Sequence, residues 1–487
     1  MTMGHWIIAP VVLPAFLAAL SLLLARHGTT VARFLALGGT VALLAISVTL
    51  MIAASNGPPQ LYRLGDWPAP FGIVLVLDRL SALMLVLTSG LALPVLVQAI
   101  VTGWDIRGRK FHALWLFQLM GLNGAFLTGD AFNLFVFFEV LLIASYGLMV
   151  HGGTGPRLRA GVQYIAVNLV GSTLFLFALG TAYAVTGTLN MADLAAKIPA
   201  LPDGDQALMR VAAVLLMLVF AIKGALVPLH FWLPGTYAAS PGVVAALFAV
   251  MTKVGAYAAL RFGTLVFPPD LAVTSGLIGP LLLPAGLITL ALGAIGILGA
   301  ASLPRLAAYA ALMSMGTVFT AMAAFTPWAT MATLYYVIHS TLAGAALFLI
   351  ADLVQARAPG SRLPGLLAAL FMASAIATAG LPPLSGFPAK LMILQAQPLW
   401  PVWAVILGGS FLALLGLSRS GSALFWKPQG DAATLPLTQA LIPAALLLAL
   451  VALTVLAGPV TAWLAETARL LHDPAPYILA NDLPGGA

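Results

Sequence analysis

Runs of about 20 mostly apolar residues recur along nearly the whole chain, separated by short loops rich in Gly, Pro and charge. A helix of that length crosses the hydrocarbon core of a bilayer and satisfies its own backbone donors and acceptors there. Of the 487 residues, 62% are hydrophobic and only 7% are charged. Soluble domains carry about 25% charged residues. The fold class expected is therefore an all-α polytopic membrane protein, and no stretch is long and polar enough for a water-soluble domain.

The runs predict about 14 transmembrane helices by the length criterion. They lie at 6–25, 31–53, 74–101, 112–128, 130–150, 161–187, 208–232, 241–263, 273–300, 304–325, 328–353, 364–396, 401–425 and 435–466. The turn TGDAFN between the fourth and fifth is tight, so about 13 is the alternative count. The first run has no Lys or Arg ahead of it and no small-residue cleavage site, which favours a spanning helix over a signal peptide. From His472 onward the chain reads as an extended tail.

The net charge of +7 comes from basic residues concentrated in alternate short loops, so it reports topology rather than a nucleic-acid partner. One side collects Arg26, Arg33, Arg107, Arg109, Lys110, Arg157, Arg159, Arg305, Arg357, Arg362, Arg419 and Lys427. The other holds Arg63, Arg79, Lys197, Arg210, Arg261 and Arg469. The positive-inside rule places the first set in the cytoplasm and both termini outside.

With no cysteine, thiol chemistry and disulfides are excluded. Histidines are dispersed and form no zinc or iron–sulfur pattern, and there is no phosphate-binding GK[ST] loop. Neither cofactor nor metal is expected. The chain reads as a transporter component rather than an enzyme, drawing on an ion gradient or on a partner's redox chemistry.

Against this apolar background four ionisable residues stand out inside predicted spans: Glu139, Lys223, Lys253 and Lys390. A charge at the bilayer centre costs at least ~2.5–3.5 kcal/mol, so the default reading is an ion or proton path. Burial lowers the proton affinity of a lysine and a nearby carboxylate restores it. Glu139 and Lys223 would thus form a switch if within about 4–6 Å, with Lys253 and Lys390 following. Arginine could not serve, because it does not release its proton. A static ion pair is the competing reading, but one glutamate cannot neutralise three lysines.

His230 and His339 are candidate relays, since histidine titrates near neutrality; for His230 a polar anchor at the helix end is the alternative. Tyr164, Asn168, Ser172, Ser314 and Thr341 are candidates to carry water between stations, against a plain packing role. Asp130 reads as a helix N-cap, and Asp78 with Arg79 as a boundary pair.

Two predicted helices look broken. One carries Gly224 and Pro228 just after Lys223; the other carries Gly380, Pro382 and Pro383 before Lys390. Proline removes a backbone donor, and freed backbone groups at membrane depth need protein or water around them. Simple proline kinks are the bland alternative. The breaks lie five helices apart, in the seventh and twelfth, which points to two repeats (helices 4–8 and 9–13) with a transport path at their interface. The organisation expected is 1–111 for helices 1–3, 112–263 and 264–425 for the two repeats, and 426–487 for the last helix and tail.

At these residues the chain resembles a known family. TGDAFNLFVFFEVLLIASYGLM, then KGALVPLHFWLPGTYAASPGVVAALFAVMTKVGAYAALR, then GLPPLSGFPAK are similar to the antiporter-like proton-translocating subunits of respiratory complex I, membrane hydrogenases and Mrp-type sodium/proton antiporters. The likeness covers helices 3 to 13. Within the family, FNLFVFFEVLLIASYGLM and WLPGTY most resemble the D-type component of the multisubunit Mrp antiporters; respiratory relatives usually have Asp and His after WLP, where this chain has Gly235 and Tyr237.

The resemblance implies fourteen helices with two inverted five-helix repeats. It implies proton translocation through Glu139, Lys223, Lys253, His339 and Lys390, within a multisubunit cation/proton antiporter of a bacterial inner membrane. The partners implied are a second antiporter-like subunit and small membrane subunits, with sodium handled elsewhere in the complex. A redox-driven pump module of a complex I-like or hydrogenase complex is the second reading, and a non-transporting scaffold the third. The chain departs from the family pattern where relatives often have a histidine near Ala310 and a lysine near Gly344.

Overall fold

The computed structural model describes residues 3–24, 28–426 and 430–483. Arg26 and Lys427, assigned above to the cytoplasmic side, and the extreme termini lie outside the described residues.

The chain opens with helices α1 (Ala9–Leu23) and α2 (Thr29–Ser55), then a two-stranded antiparallel hairpin of β1 (Gln60–Arg63) and β2 (Val74–Leu77). Helices α3 (Arg79–Val101), α4 (Phe111–Leu127), α5 (Ala131–Met149) and α6 (Gly155–Thr186) follow. A short α7 (Met191–Lys197) leads to α8 (Asp203–Lys223), α9 (Trp232–Ala239) and α10 (Gly242–Arg261). Next come α11 (Ile278–Gly299), α12 (Leu303–Met322), α13 (Pro327–Gln355), α14 (Gly365–Ala379), α15 (Gly386–Ala396) and α16 (Trp400–Phe425). The chain closes with α17 (Leu437–Val455), α18 (Ala457–Leu471) and α19 (Ala475–Ala480).

Among the described residues, ten helices are long and apolar enough to cross a bilayer, and α1, α4 and α14 are shorter apolar helices. α10 is the axis: its most apolar stretch is fully buried, and it packs on α13, α8, α3 and α12. Small residues set how closely helices approach. At the α11–α12 contact, a Cβ on Gly286 would meet the Thr320 amide at 2.8 Å.

Several sequence boundaries are corrected. The predicted third span began at residue 74, but 74–77 is a strand, because the Asp78 side chain accepts the Ser81 amide at 2.8 Å and starts α3 there. The run 435–466 is two helices meeting at Leu456, and the tail forms α19 rather than an extended end. Asp78 and Arg79 are not each other's partners. Asp78 takes a bidentate pair from Arg261, at 2.5 and 2.8 Å, while Arg79 turns to Thr467, Ser55 and Trp463. Adjacent residues at a helix start point to different faces, so each finds a different neighbour. Asp130 is the N-cap expected, accepting the Asn133 amide at 2.7 Å.

Candidate functional site

The two helix breaks are present where the prolines placed them, one between α8 and α9 and one between α14 and α15. Each contains a cis X–Pro bond, Val227–Pro228 and Pro382–Pro383. Freed backbone groups find partners inside the protein, as membrane depth requires. In the first break the Val227 amide donates to Thr289 Oγ1 at 2.9 Å, and Trp232 Nε1 donates to the Ile222 carbonyl at 3.1 Å. α10 closes against this break through Gly255, where a Cβ would meet the Gly224 nitrogen and the Phe220 oxygen at 2.6 Å.

Lys223, the last residue of α8, is buried beside the first break. Its ammonium donates to Asn168 Oδ1 at 3.2 Å and lies 5.8 Å from the Phe138 ring centroid. Glu139 is half-buried on α5, and Ser172 donates its hydroxyl hydrogen to Glu139 Oε1. Among the described residues, Glu139 and Lys223 form no ion pair within 4.0 Å. Instead α6 presents a polar stripe at helical spacing, Tyr164, Asn168 and Ser172, with Ser172 serving the carboxylate and Asn168 the ammonium. Tyr164 is buried, 2.9 Å from Ser145 Oγ, and stacks on Trp232. A cavity with room for about one water joins Tyr164, Asn168 and Lys223.

Lys253 projects from the other side of α10. Its ammonium is 3.4 Å from Ser314 Oγ and 3.3 Å from Met315 Sδ on α12, and among the described residues no carboxylate pairs with it. A second cavity, again with room for about one water, is lined by Lys253, Ser314, His339 and Thr378. Ala310 and Gly344, the two positions where the family pattern has ionisable groups, line this same cavity. His339 Nδ1 is 2.9 Å from Ser385 Oγ in the second break. A Cβ on Gly386 would meet His339 Nε2 at 2.9 Å, so the glycine is what lets α15 reach the imidazole.

Lys390 lies on the far side of that break. Its ammonium donates to the Ala379 carbonyl at 2.8 Å and to Ser410 Oγ at 2.7 Å. Lys253 lies on α10, Lys223 and His339 come from α8 and α13, which pack on α10, and Lys390 comes from α15 beyond the second break. The three ammoniums are held by neutral groups, and His339 is hydrogen-bonded to a hydroxyl. His230 stands apart. It lies half-buried in the first break and its Nδ1 has no partner among the described residues. Thr341 bonds back to the Val337 carbonyl at 2.7 Å, a packing arrangement. Ser385 and Ser410 were not singled out from the sequence. Ser385 sits inside the GLPPLSGFPAK motif and had a signal; Ser410, on an apolar helix, had only its polarity.

A helical membrane protein with buried lysines at two broken helices defines a class of ion-translocating subunits. The chain belongs to the NADH:quinone oxidoreductase/Mrp antiporter transmembrane family, whose model matches residues 128–416. It is 38% identical to the D component of a probable K(+)/H(+) antiporter of Rhizobium meliloti, over 97% of this chain and 96% of that protein. It is 37% identical to the D component of a Na(+)/H(+) antiporter of Alkalihalophilus pseudofirmus, over 98% and 99%. Among solved structures, a chain of the Mrp complex from Dietzia superposes with a TM-score of 0.91 at 28% identity, covering 99% of this chain and 100% of that one. A chain of respiratory complex I from Thermus thermophilus gives 0.82 at 27% identity, covering 96% and 99%.

Proposed function

We propose that this chain is the proton-carrying subunit of a multisubunit monovalent cation/proton antiporter of the Mrp type. The observation that carries this reading is the set of buried ionisable side chains on α8, α10, α13 and α15, Lys223, Lys253, His339 and Lys390. Lys253 and Lys390 are charges without a carboxylate partner among the described residues, each facing hydroxyl or carbonyl groups that can pass a proton through water. A charge so placed is expensive at membrane depth, which favours a role in moving an ion or a proton.

Protons pass from Glu139 through Ser172 and Asn168 to Lys223, cross α10 to Lys253, and leave past His339 and Lys390. The two broken helices support a division into two half-channels, residues 112–263 and 264–425. The relatives are named for sodium and for potassium. The buried line contains a single carboxylate, while hard cations want several oxygen ligands, so the metal cation travels elsewhere in the complex. In this reading both termini face the periplasm, and the loops bearing Arg33, Arg107 and Arg157 face the cytoplasm.

The test is collapse of a proton gradient by added sodium or potassium in inverted vesicles holding the whole complex, with and without Lys223→Ala. Collapse in the wild type that is lost in the variant supports the reading. Absence of any cation response would favour a redox-driven pump, and an unaffected variant would favour a scaffold.

A further inference from the structure

Away from the buried lysines, a cleft lies between α2, α3 and α18. It has two parts. Toward the end of α18, a cavity of about 340 Å³ is lined by Ser55, Arg79, Arg261, Glu466, Thr467 and Asp473. One to two turns further along the same helices, a groove of about 420 Å³ is lined by Met51, Leu83, Leu87, Val460, Trp463 and Leu464. Each volume falls within the roughly 300–1,000 Å³ of small-molecule sites. The polar part follows the apolar part on all three helices: Met51 then Ser55, Leu83 then Arg79, Trp463 then Thr467.

Charge in the polar part is uneven. The Arg79 guanidinium donates to Thr467 Oγ1, the Ser55 carbonyl and the Trp463 carbonyl at 3.0–3.2 Å, and lies 4.5 Å from the Trp463 ring centroid. All these partners are neutral. Arg261 has both terminal nitrogens on Asp78, and its buried Nε has no partner among the described residues. Carboxylates stand at the rim: Glu466, paired with exposed Arg469 at 2.8 Å, and Asp473. A guanidinium beside an apolar groove, with carboxylates further out, matches a phosphate above acyl chains with an amine above the phosphate.

We infer that this cleft binds a phospholipid with a primary-amine headgroup, its phosphate on Arg79, its ammonium toward Glu466 and Asp473, and an acyl chain in the groove along Leu87 and Val460. An anionic headgroup without an amine leaves Asp473, which has no ion pair among the described residues, facing like charge. A quaternary ammonium headgroup cannot donate hydrogen bonds to them. The site is independent of the proton line, so its test does not depend on transport.

The full chain is purified in detergent with the subunits that accompany it, and bound lipid per chain is read by native mass spectrometry. Phosphatidylethanolamine, phosphatidylglycerol and phosphatidylcholine are supplied in equal amounts. The expected result is retention of phosphatidylethanolamine about tenfold over the other two, falling about tenfold in Arg79→Gln. Leu87→Trp, which fills the groove and leaves Arg79 untouched, is expected to reduce retention equally. Asp473→Asn, at the rim, is expected to erase the preference over phosphatidylcholine, and it keeps the proposal testable if Arg79→Gln fails to assemble. Equal retention of all three lipids, retention unchanged in the variants, or a photo-crosslinker at Leu87 capturing a protein segment in place of lipid would each overturn the proposal.

Discussion

The Lys390 ammonium lies 2.8 Å from the Ala379 carbonyl oxygen, so a side chain on α15 caps the C-terminal end of α14 across the break. The carbonyl end of a helix carries partial negative charge, which favours a cation there. Moving a proton off Lys390 would therefore weaken this helix cap, since the neutral amine can still donate but no longer carries charge, and the protonation of Lys390 is tied to the geometry of the break.

Gly380 makes this contact possible. It has φ +77°, and a Cβ there would meet Lys390 Cδ at 2.7 Å and Nζ at 2.9 Å. Gly380→Ala is expected to cost about 1–2 kcal/mol for the left-handed backbone and to displace the ammonium. Thermal unfolding of the purified complex and gradient collapse in vesicles should both fall. Wild-type values for both would refute the coupling of break and station.

Asn168 accepts from Lys223 one helical turn from Ser172, which donates to Glu139. Asn168→Leu leaves the Lys223 ammonium without that acceptor, an expected loss of about 1–3 kcal/mol, and transport should fall at least about tenfold. Asn168→Asp separates switching from static pairing. A carboxylate placed beside Lys223 should preserve stability and still lower transport by holding the proton. Normal transport in Asn168→Asp would show that the charge on Lys223 need not change.

The cavity between Lys253 and His339 gives a test with opposite signs. A Cβ on Gly344 has only ordinary contact, 3.9 Å from the Ala249 Cβ. Gly344→Ala is expected to stabilise α13 by up to about 1 kcal/mol while shrinking the space for water, so unfolding should rise in temperature as transport slows. Faster or unchanged transport would place the proton route outside this cavity.

The Asp78–Arg261 pair is structural. Removing the carboxylate leaves a buried guanidinium uncompensated, at about 3–5 kcal/mol. Asp78→Ala should therefore lower the amount of assembled complex without changing transport per assembled molecule. Asp78→Asn combined with Arg261→Gln should recover assembly. A double variant no better than the single one would mean that the two residues act separately.

Much of this was legible in the chain itself. Apolar run length marked the spanning helices, because a bilayer leaves few alternatives for an unhydrated backbone. Proline and glycine marked both breaks, and lysines in apolar runs marked three buried ammonium groups. Partners were the harder part. The sequence makes Glu139 and Lys223 a switch if they lie within about 4–6 Å, but it does not show that Ser172 and Asn168, on the intervening α6, are their hydrogen-bond partners. Similarly, nothing local joins Asp78 to Arg261 rather than to Arg79, since the contact spans 183 residues.

The sequence alone determined the membrane class, the positions of the breaks and the residue types able to carry protons, because these follow from solvation cost and backbone chemistry along a single segment. Only the tertiary structure decided which acceptor holds each ammonium, that Ala310 and Gly344 open onto the Lys253–His339 cavity, and that Arg79 faces a cleft with neutral partners. Those facts depend on helix rotation and on close approach at glycines, which the packing of all the helices sets together.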